Sequence, residues 1–322
     1  MENIKKLSDF LNKNLTIFIL FVTGLALAIP NIFIPIANVK IANLSIPSLL
    51  LAIIMFGTGI TLIPKDIIIM LKKPKYITIG VIAKYTFMIF GAFLIAKFLK
   101  LNNNLAFGLI LLGSMPPGTA ASVITFLGGG DITFSVAIII FSTFLAPIVT
   151  PFLTFVFGGQ WIEFNFISMF INIIIIVLLP ILLGMFVKHI FKDKANTFQK
   201  LIGLISIISL LLIVSVSTAP NRDTILSTNS IIVIIAVALN FVFAALGNGI
   251  LAKLLKLDQK KAVSLIITSC EQNSALSVGI ASTLTTLHSS VAIPSIIAVS
   301  LNLALTTILA NIFQRKVRRN KM

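Results

Sequence analysis

Apolar runs long enough to cross a lipid bilayer recur from one end of the chain to the other, and they limit its fold more than any other feature. A hydrocarbon core of ~30 Å needs about 20 residues of helix, each rising ~1.5 Å. Ten such runs are read at residues 15–37, 46–63, 76–98, 104–128, 132–157, 164–188, 197–218, 229–252, 262–286 and 289–313. Only short polar loops separate them, which predicts a polytopic all-α membrane protein with no separate soluble domain. The 58% hydrophobic content agrees, since soluble domains rarely pass one half. The first run is too long for the apolar core of a signal peptide and is expected to be retained as a span. The single cysteine, Cys270, excludes an internal disulfide and a cysteine-based metal cage.

Charge placement orients the spans. With the N-terminus in the cytoplasm, twenty lysines and arginines fall inside, among them Lys5, Lys6, Lys13, Lys65, Lys72, Lys73, Lys192, Lys194, Lys200 and Lys321. Four fall outside: Lys40, Lys97, Lys100 and Arg222. This bias predicts an even number of spans with both termini cytoplasmic, in a bacterial inner membrane. It also accounts for the net charge of +16 through contact with lipid headgroups and cytosol. No nucleic-acid partner is expected, and no obligatory protein partner.

Ten spans divide into two sets of five, 1–160 and 161–322. An odd number per set inserts the second set upside down, giving inverted repeats. Equivalent spans then share an oddity. Span four carries "SMPPGTAAS" (114–122), whose prolines and glycine break a helix at mid-depth. Span nine carries the polar cluster "TSCEQNSALS" (268–277). Irregular backbone inside a membrane is tolerated only where protein buries it or it lines a wet cavity. Two breaks at matching positions point to a binding site at the repeat interface. The plainer alternative is a proline kink in one helix and a polar packing patch in the other.

Two ionisable side chains sit deep within spans, Lys84 and Glu271. A charge at the centre of a spanning helix costs about 2.5–3.5 kcal/mol on insertion scales. Lys84 and Glu271 are expected to face one cavity and neutralise each other. The alternative is two separately satisfied residues. Around the breaks lie Ser114, Gly118, Thr119, Ser122, Gln272, Asn273 and Ser274. Half-helices starting near Thr119 and Ser274 would be capped by those hydroxyls. Their N-termini would offer free N–H groups and partial positive charge to a small anion, most simply a carboxylate. Gly118 would let the backbone approach and Asn273 would orient the ligand. Lys84, Glu271 and Gln272 would set ion coupling.

Other polar residues are read plainly. Asn240, Asn248, Asn302 and Asn311 are expected to bond between helices. Trp161 reads as an interface anchor, Cys270 as a packing residue and Asp131 as the cap of span five. His189 and His288 fall in loops with no triad or metal pattern around them.

The motifs "PPGTAASVITFLGGGD" (116–131), "SVAIIIFSTFLAP" (135–147), "EQNSALSVGIA" (271–281) and "IMFGTGITL" (54–62) resemble the bile acid:sodium symporter family. The resemblance implies crossed, broken fourth and ninth helices, with a panel of spans one, two, six and seven moving against a core of the rest. It implies bile acids or smaller, pantoate-like organic acids as substrates, with sodium ions as the coupled cargo and no cofactor. Candidate sodium ligands carried over are Ser122, Ser135 and Thr268. The sequence departs from the family pattern at these sites. Pro117 stands for a glycine, Ala121 for a serine, Ser122 for an asparagine, Ile139 for a threonine, Thr268 for a glutamate and Lys84 for a glutamine. Sodium binds oxygen ligands. Their loss, and the arrival of an ammonium group, suggest that Lys84 replaces a sodium ion, leaving a proton-coupled, exchange or uncoupled carrier. An anion channel and a membrane enzyme are the alternatives from other classes. No nucleotide-binding motif supports an ATP-driven pump.

Overall fold

The computed structural model describes Leu7, Phe10, Leu11 and residues 14–41, 44–62, 74–191, 195–227, 229–284 and 289–319. His288 and the expected cytoplasmic Lys5, Lys6, Lys13, Lys65, Lys72, Lys73, Lys192, Lys194 and Lys321 lie outside the described residues.

Helices dominate. In chain order they are α1 (Leu15–Ala28), α2 (Pro30–Asn38), α3 (Ile46–Thr61), α4 (Pro74–Phe98), α5 (Asn103–Gly113), α6 (Ala120–Leu127) and α7 (Ile132–Gly158). Then come α8 (Phe166–Ile173), α9 (Leu179–Phe191), α10 (Ala195–Thr218), α11 (Arg222–Ile225), α12 (Asn229–Leu254), α13 (Gln259–Cys270), α14 (Ser274–Leu284) and α15 (Ile293–Arg319). One antiparallel hairpin, β1 (Lys40–Ile41) with β2 (Leu44–Ser45), joins α2 to α3.

Six helices among the described residues are long and apolar enough to cross a membrane, or seven if the bent pair α1–α2 is one span. The expected ten-run pattern has breaks in runs four and nine, and the backbone interrupts or shortens other runs as well. The first run bends by 93° between Ala28 and Pro30. Pro30 lacks an N–H and pushes Ile29 out of helical geometry (φ −127°, ψ 65°), so the helix must restart. The second run is a helix of 16 residues. Runs four and nine each form two half-helices, α5 with α6 and α13 with α14. A wider helical turn, Ile174–Leu178, joins α8 to α9 just before Pro180. Such turns mark places where a helix is eased by one residue.

Close helix contacts gather around α3 and around α4, with further contacts joining the two sets. α3 lies against α9 and α10, and α10 against α1. α4 lies against α12, α5, α7 and α13. Glycine makes the first group tight. A Cβ on Gly59 would fall 2.1 Å from the Ile181 carbonyl oxygen, and one on Gly184 would fall 2.2 Å from that of Phe56. At the end of α3, Lys188 Nζ donates to the carbonyls of Thr61 (3.3 Å) and Leu62 (3.1 Å). An ammonium there satisfies C-terminal carbonyls and complements the helix dipole.

The loop ends are capped as their residues suggest. Asp131 accepts from Phe134 N at 3.1 Å and starts α7. Asp258 starts α13, accepting from Lys261 N at 3.0 Å and from Lys261 Nζ at 2.5 Å. The Lys261 hydrogen bonds hold the Asp258 carboxyl below the usual carboxylate range. A depressed folded value stabilises above the unfolded pKa and loses that effect as pH falls through the folded one. Asp258→Ala is expected to cost about 1 kcal/mol at neutral pH, the ordinary worth of an N-cap. Thermal unfolding at pH 7 and at pH 3 checks it, and the gap to wild type should narrow at the lower pH.

Candidate functional site

The two breaks meet and pair with each other. Gly118 N donates to the Glu271 carbonyl at 2.9 Å, and Asn273 N donates to the Pro116 carbonyl at 2.9 Å. Pro117 and Gln272 form an isolated antiparallel bridge. Backbone groups freed from one helix thus become partners for those freed from the other. This answers the cost of irregular backbone at membrane depth, because only groups satisfied by protein are tolerated there. Gly118 permits the approach, since a Cβ there would already sit 3.2 Å from the Gln272 carbonyl oxygen. The neighbouring helix α7 closes the remaining gap. Thr150 Oγ1 donates to the Ser114 carbonyl at 2.8 Å, and Ser114 Oγ shares a 2.8 Å hydrogen bond with Thr154 Oγ1.

Both half-helix N-termini face this crossing, with caps that differ from the expectation. Asn273 Oδ1 accepts from Leu276 N at 3.0 Å, so Asn273, not Ser274, caps α14. Ser274 is the first helical residue and is buried. Thr119 precedes α6 but its side chain caps nothing, because its own backbone is already helical (φ −64°, ψ −26°). It is instead exposed, while Asn273 is half-buried, and these two give the crossing its accessible face.

The ion-coupling candidates lie behind it. Gln272 Nε2 contacts Met88 Sδ, and Gln272 Oε1 accepts from Asn302 Nδ2. Glu271 Oε2 accepts from Thr306 Oγ1 at 2.7 Å. Lys84 is completely buried, and its Nζ has no hydrogen-bond partner among the described residues. The structure does not bring Lys84 and Glu271 into an ion pair; ion pairs among the described residues include Arg222–Asp223 and Lys261–Asp258.

Of the three hydroxyl candidates, two come together. Ser135 Oγ and Thr268 Oγ1 share a 2.6 Å hydrogen bond, and Thr125 Oγ1 donates to Ser135 at 3.2 Å. All three are fully buried. Ser122 does not join them and donates instead to the Thr119 carbonyl at 2.9 Å. Thr125 is the residue that sequence reasoning missed. The buried stripe Ala121, Ile124, Thr125 and Gly128 has helical period, and it puts Thr125 inside and Ser122 at the edge.

The plain readings divide. Asn302 bonds between helices, whereas Asn248 Nδ2 bonds its own helix at the Ala244 carbonyl (2.8 Å), Asn240 Oδ1 has no partner among the described residues, and Asn311 is exposed. Trp161 stacks edge-on to Phe93 with centroids 5.8 Å apart. Cys270 is buried against the Phe241 carbonyl. His189 is exposed.

A chain with paired half-helices in a membrane has known relatives. Residues 48–228 match the model of the sodium bile acid symporter family. The chain is 36% identical over its whole length, and 97% of the relative's, to the uncharacterized sodium-dependent transporter YocS of Bacillus subtilis. It is 29% identical over 72% of its length to the probable chloroplastic sodium/metabolite cotransporter BASS1 of Arabidopsis thaliana, of which it spans 57%. It is 26% identical over 52% of its length to the human ileal sodium/bile acid cotransporter, of which it spans 49%. All of these are transporters, none an enzyme. By its family match and its full-length likeness to a bacterial transporter, this integral membrane protein belongs to the sodium bile acid symporter family.

Proposed function

We propose that the chain carries a small organic anion, a carboxylate of the bile-acid or pantoate kind, by alternating access around the crossed breaks. The observation that carries this reading is the mutual pairing of Pro116–Gly118 with Glu271–Asn273. It holds two half-helix N-termini at one place, where their N–H groups and dipoles favour negative charge. Gly118, Thr119, Asn273 and Ser274 would hold the carboxylate. The ten-run pattern is read as two inverted repeats, 1–160 and 161–322. The α1–α3, α8–α10 group would act as a panel rocking against the rest, with the lysine-rich ends and both termini in the cytoplasm of a bacterial cell.

Sodium is the coupled cargo in this reading, supported by the names of the relatives. Its oxygen ligands would come from Ser135, Thr268 and Thr125, with Glu271 and Gln272 nearby. Ser122, at the edge of α6, would join only after a local shift. A second reading is favoured by one observation, the complete burial of Lys84 without a partner. There the ammonium supplies the fixed positive charge in place of an ion, and transport is proton-coupled, exchange-driven or uncoupled.

Uptake of labelled carboxylates into proteoliposomes, with sodium and pH gradients imposed separately, tests both. Accumulation driven by sodium supports the first, and accumulation or exchange without sodium supports the second. Absence of saturable uptake for every carboxylate would overturn the anion-carrier reading. Gly118→Val is expected to abolish uptake, because its Cβ alone would stand 3.2 Å from the Gln272 carbonyl oxygen and its two methyls would force the paired breaks apart.

A further inference from the structure

A groove of about 630 Å³ runs along the outer side of α4 and α7. Val81, Tyr85 and Ile89 are buried and make its floor, while Ile82, Phe90 and Leu145 on its rims are 41% to 59% exposed. Its walls are thus open to whatever occupies it. The two helices touch on either side of the gap. Gly80 lets Ile138 pack against α4, since a Cβ there would fall 2.5 Å from Ile138 Cδ1. Farther along, Phe90 and Phe157 meet edge to face with centroids 5.6 Å apart. Between these contacts the Tyr85 hydroxyl donates to the Ser142 carbonyl at 3.0 Å. Over the same stretch α7 carries Pro147 and Pro151, each of which costs a helix one bond and favours bending.

Length and lining suit an acyl chain. From Ile77 to Phe90 the groove follows α4 for about 20 Å. Half of a ~30 Å hydrocarbon core is about 15 Å, the depth that the chains of one leaflet fill. The Phe90–Phe157 pair crosses the groove at the far end, so a chain enters from the N-terminal end of α4. A helix from a second copy fits less well. It would bring another lysine-rich end to this one, and the chain already carries a net charge of +16.

Charge marks the same end. Lys75, Thr78, Ile82 and Thr86 recur at helical spacing, so Lys75 stands on the groove's own face of α4, at its mouth. Lys75 is exposed and has no ion-pair partner among the described residues. The carboxylates at this end are committed elsewhere: Asp131 caps α7 and Asp258 holds Lys261. Lys261 Nζ in turn lies 5.3 Å from the centre of the Tyr76 ring. At the opposite end Lys97 lies over the Phe93 ring at 4.5 Å, beyond the aromatic pair that closes the groove. The free ammonium therefore sits only at the open end, where it suits a phosphate at headgroup level.

We propose that the groove holds one acyl chain of an anionic phospholipid whose phosphate rests at Lys75. The lipid belongs to the leaflet at the N-terminal end of α4, the cytoplasmic one in the orientation read from the charges. The apolar lining takes the chain, Lys75 selects the headgroup, and the Phe90–Phe157 pair sets where the chain ends. The inference does not depend on which solute the protein carries.

Native mass spectrometry of the delipidated full-length protein, titrated with phosphatidylglycerol or with phosphatidylcholine of identical chains, tests it. Wild type is expected to bind one phosphatidylglycerol about fivefold more tightly than phosphatidylcholine, equal to about 1 kcal/mol. Lys75→Gln should remove that preference and Lys97→Gln should keep it. Thr86→Trp, at an exposed position in the groove, should weaken both lipids about tenfold. Equal affinities in wild type, an unchanged preference in Lys75→Gln, or unchanged binding in Thr86→Trp would each overturn the proposal. Photocrosslinking reads the wild-type protein directly. Phosphatidylglycerol with a diazirine at mid-chain should label α4 near Thr86 and α7 near Leu145, and labels spread as heavily over the exposed face of α12 would overturn it. So would a dimer that Thr86→Trp dissociates, because a second copy would then fill the groove.

Discussion

Lys84→Met is expected to make the protein more stable and to cut anion uptake by roughly tenfold or more, a loss of about 1.4 kcal/mol of interaction in the transport cycle. The two effects share a cause. Lys84 is among the largest fully buried side chains, and its ammonium finds no partner among the described residues. Methionine has nearly the same length and no charge to desolvate. Replacing buried charge by apolar groups of similar volume has stabilised other proteins by about 1–4 kcal/mol. A residue kept for packing alone would show no such opposition; its methionine variant would keep both stability and transport. Thermal unfolding in detergent, paired with proteoliposome uptake, reads the two effects separately. A variant that transports normally would remove Lys84 from the mechanism. Lys84→Gln then divides the coupling readings, since an amide oxygen restores a ligand for sodium. Uptake that becomes sodium-dependent only in that variant would show that the lysine had taken the place of an ion.

The sequence shows the breaks but not their partnership. Proline and glycine at 116–118 and the polar run at 270–274 are local signals, and each ends a helix where it stands. That the freed Gly118 N–H would find the Glu271 carbonyl is a relation between residues 153 positions apart, which no local period encodes. Caps depend on single dihedrals, and this explains why the cap of α14 falls on Asn273 rather than Ser274. Other signals were legible and lost to a simpler pattern. Reading residues 15–37 as one apolar run passes over Pro30, where the helix turns by 93°. Treating the hydroxyls near the breaks as equivalent passes over the period that buries Thr125 and leaves Ser122 at the edge. Asn302 and Thr306, one turn apart on α15, both reach the break residues Gln272 and Glu271. Only Asn302 stood out in advance, because amides are rarer in spans than hydroxyls.

Gly59→Ala is expected to produce the largest loss of stability of any single methyl added to this protein. Two helices that approach through glycine leave no side chain to rotate away. The new Cβ would lie 2.1 Å from the Ile181 carbonyl oxygen and 2.9 Å from its carbonyl carbon, and both are backbone. The reciprocal change, Gly184→Ala, meets the Phe56 carbonyl oxygen at 2.2 Å and Ile60 N at 2.9 Å. Overpacking of cores costs about 1–3 kcal/mol when neighbours can adjust, and a backbone collision belongs at or above the upper end. Gly203→Ala is the matched control, in helix α10 with nothing within 4 Å of its added methyl. There the gain in helix propensity predicts about 0.8–1.0 kcal/mol of added stability. The same atom should therefore destabilise at 59 and 184 and stabilise at 203, as read by thermal unfolding of the three purified variants. The double variant Gly59→Ala, Gly184→Ala extends the test. If the two methyls clash with one shared crossing, helices pushed apart by the first accommodate the second, and the combined loss falls short of the sum. Full additivity, or a neutral Gly59→Ala, would mean that α3 and α9 do not cross this closely in the folded protein. The tight group would then be loose enough to flex on its own, and the rocking of one rigid group of helices against another would lose its mechanical basis.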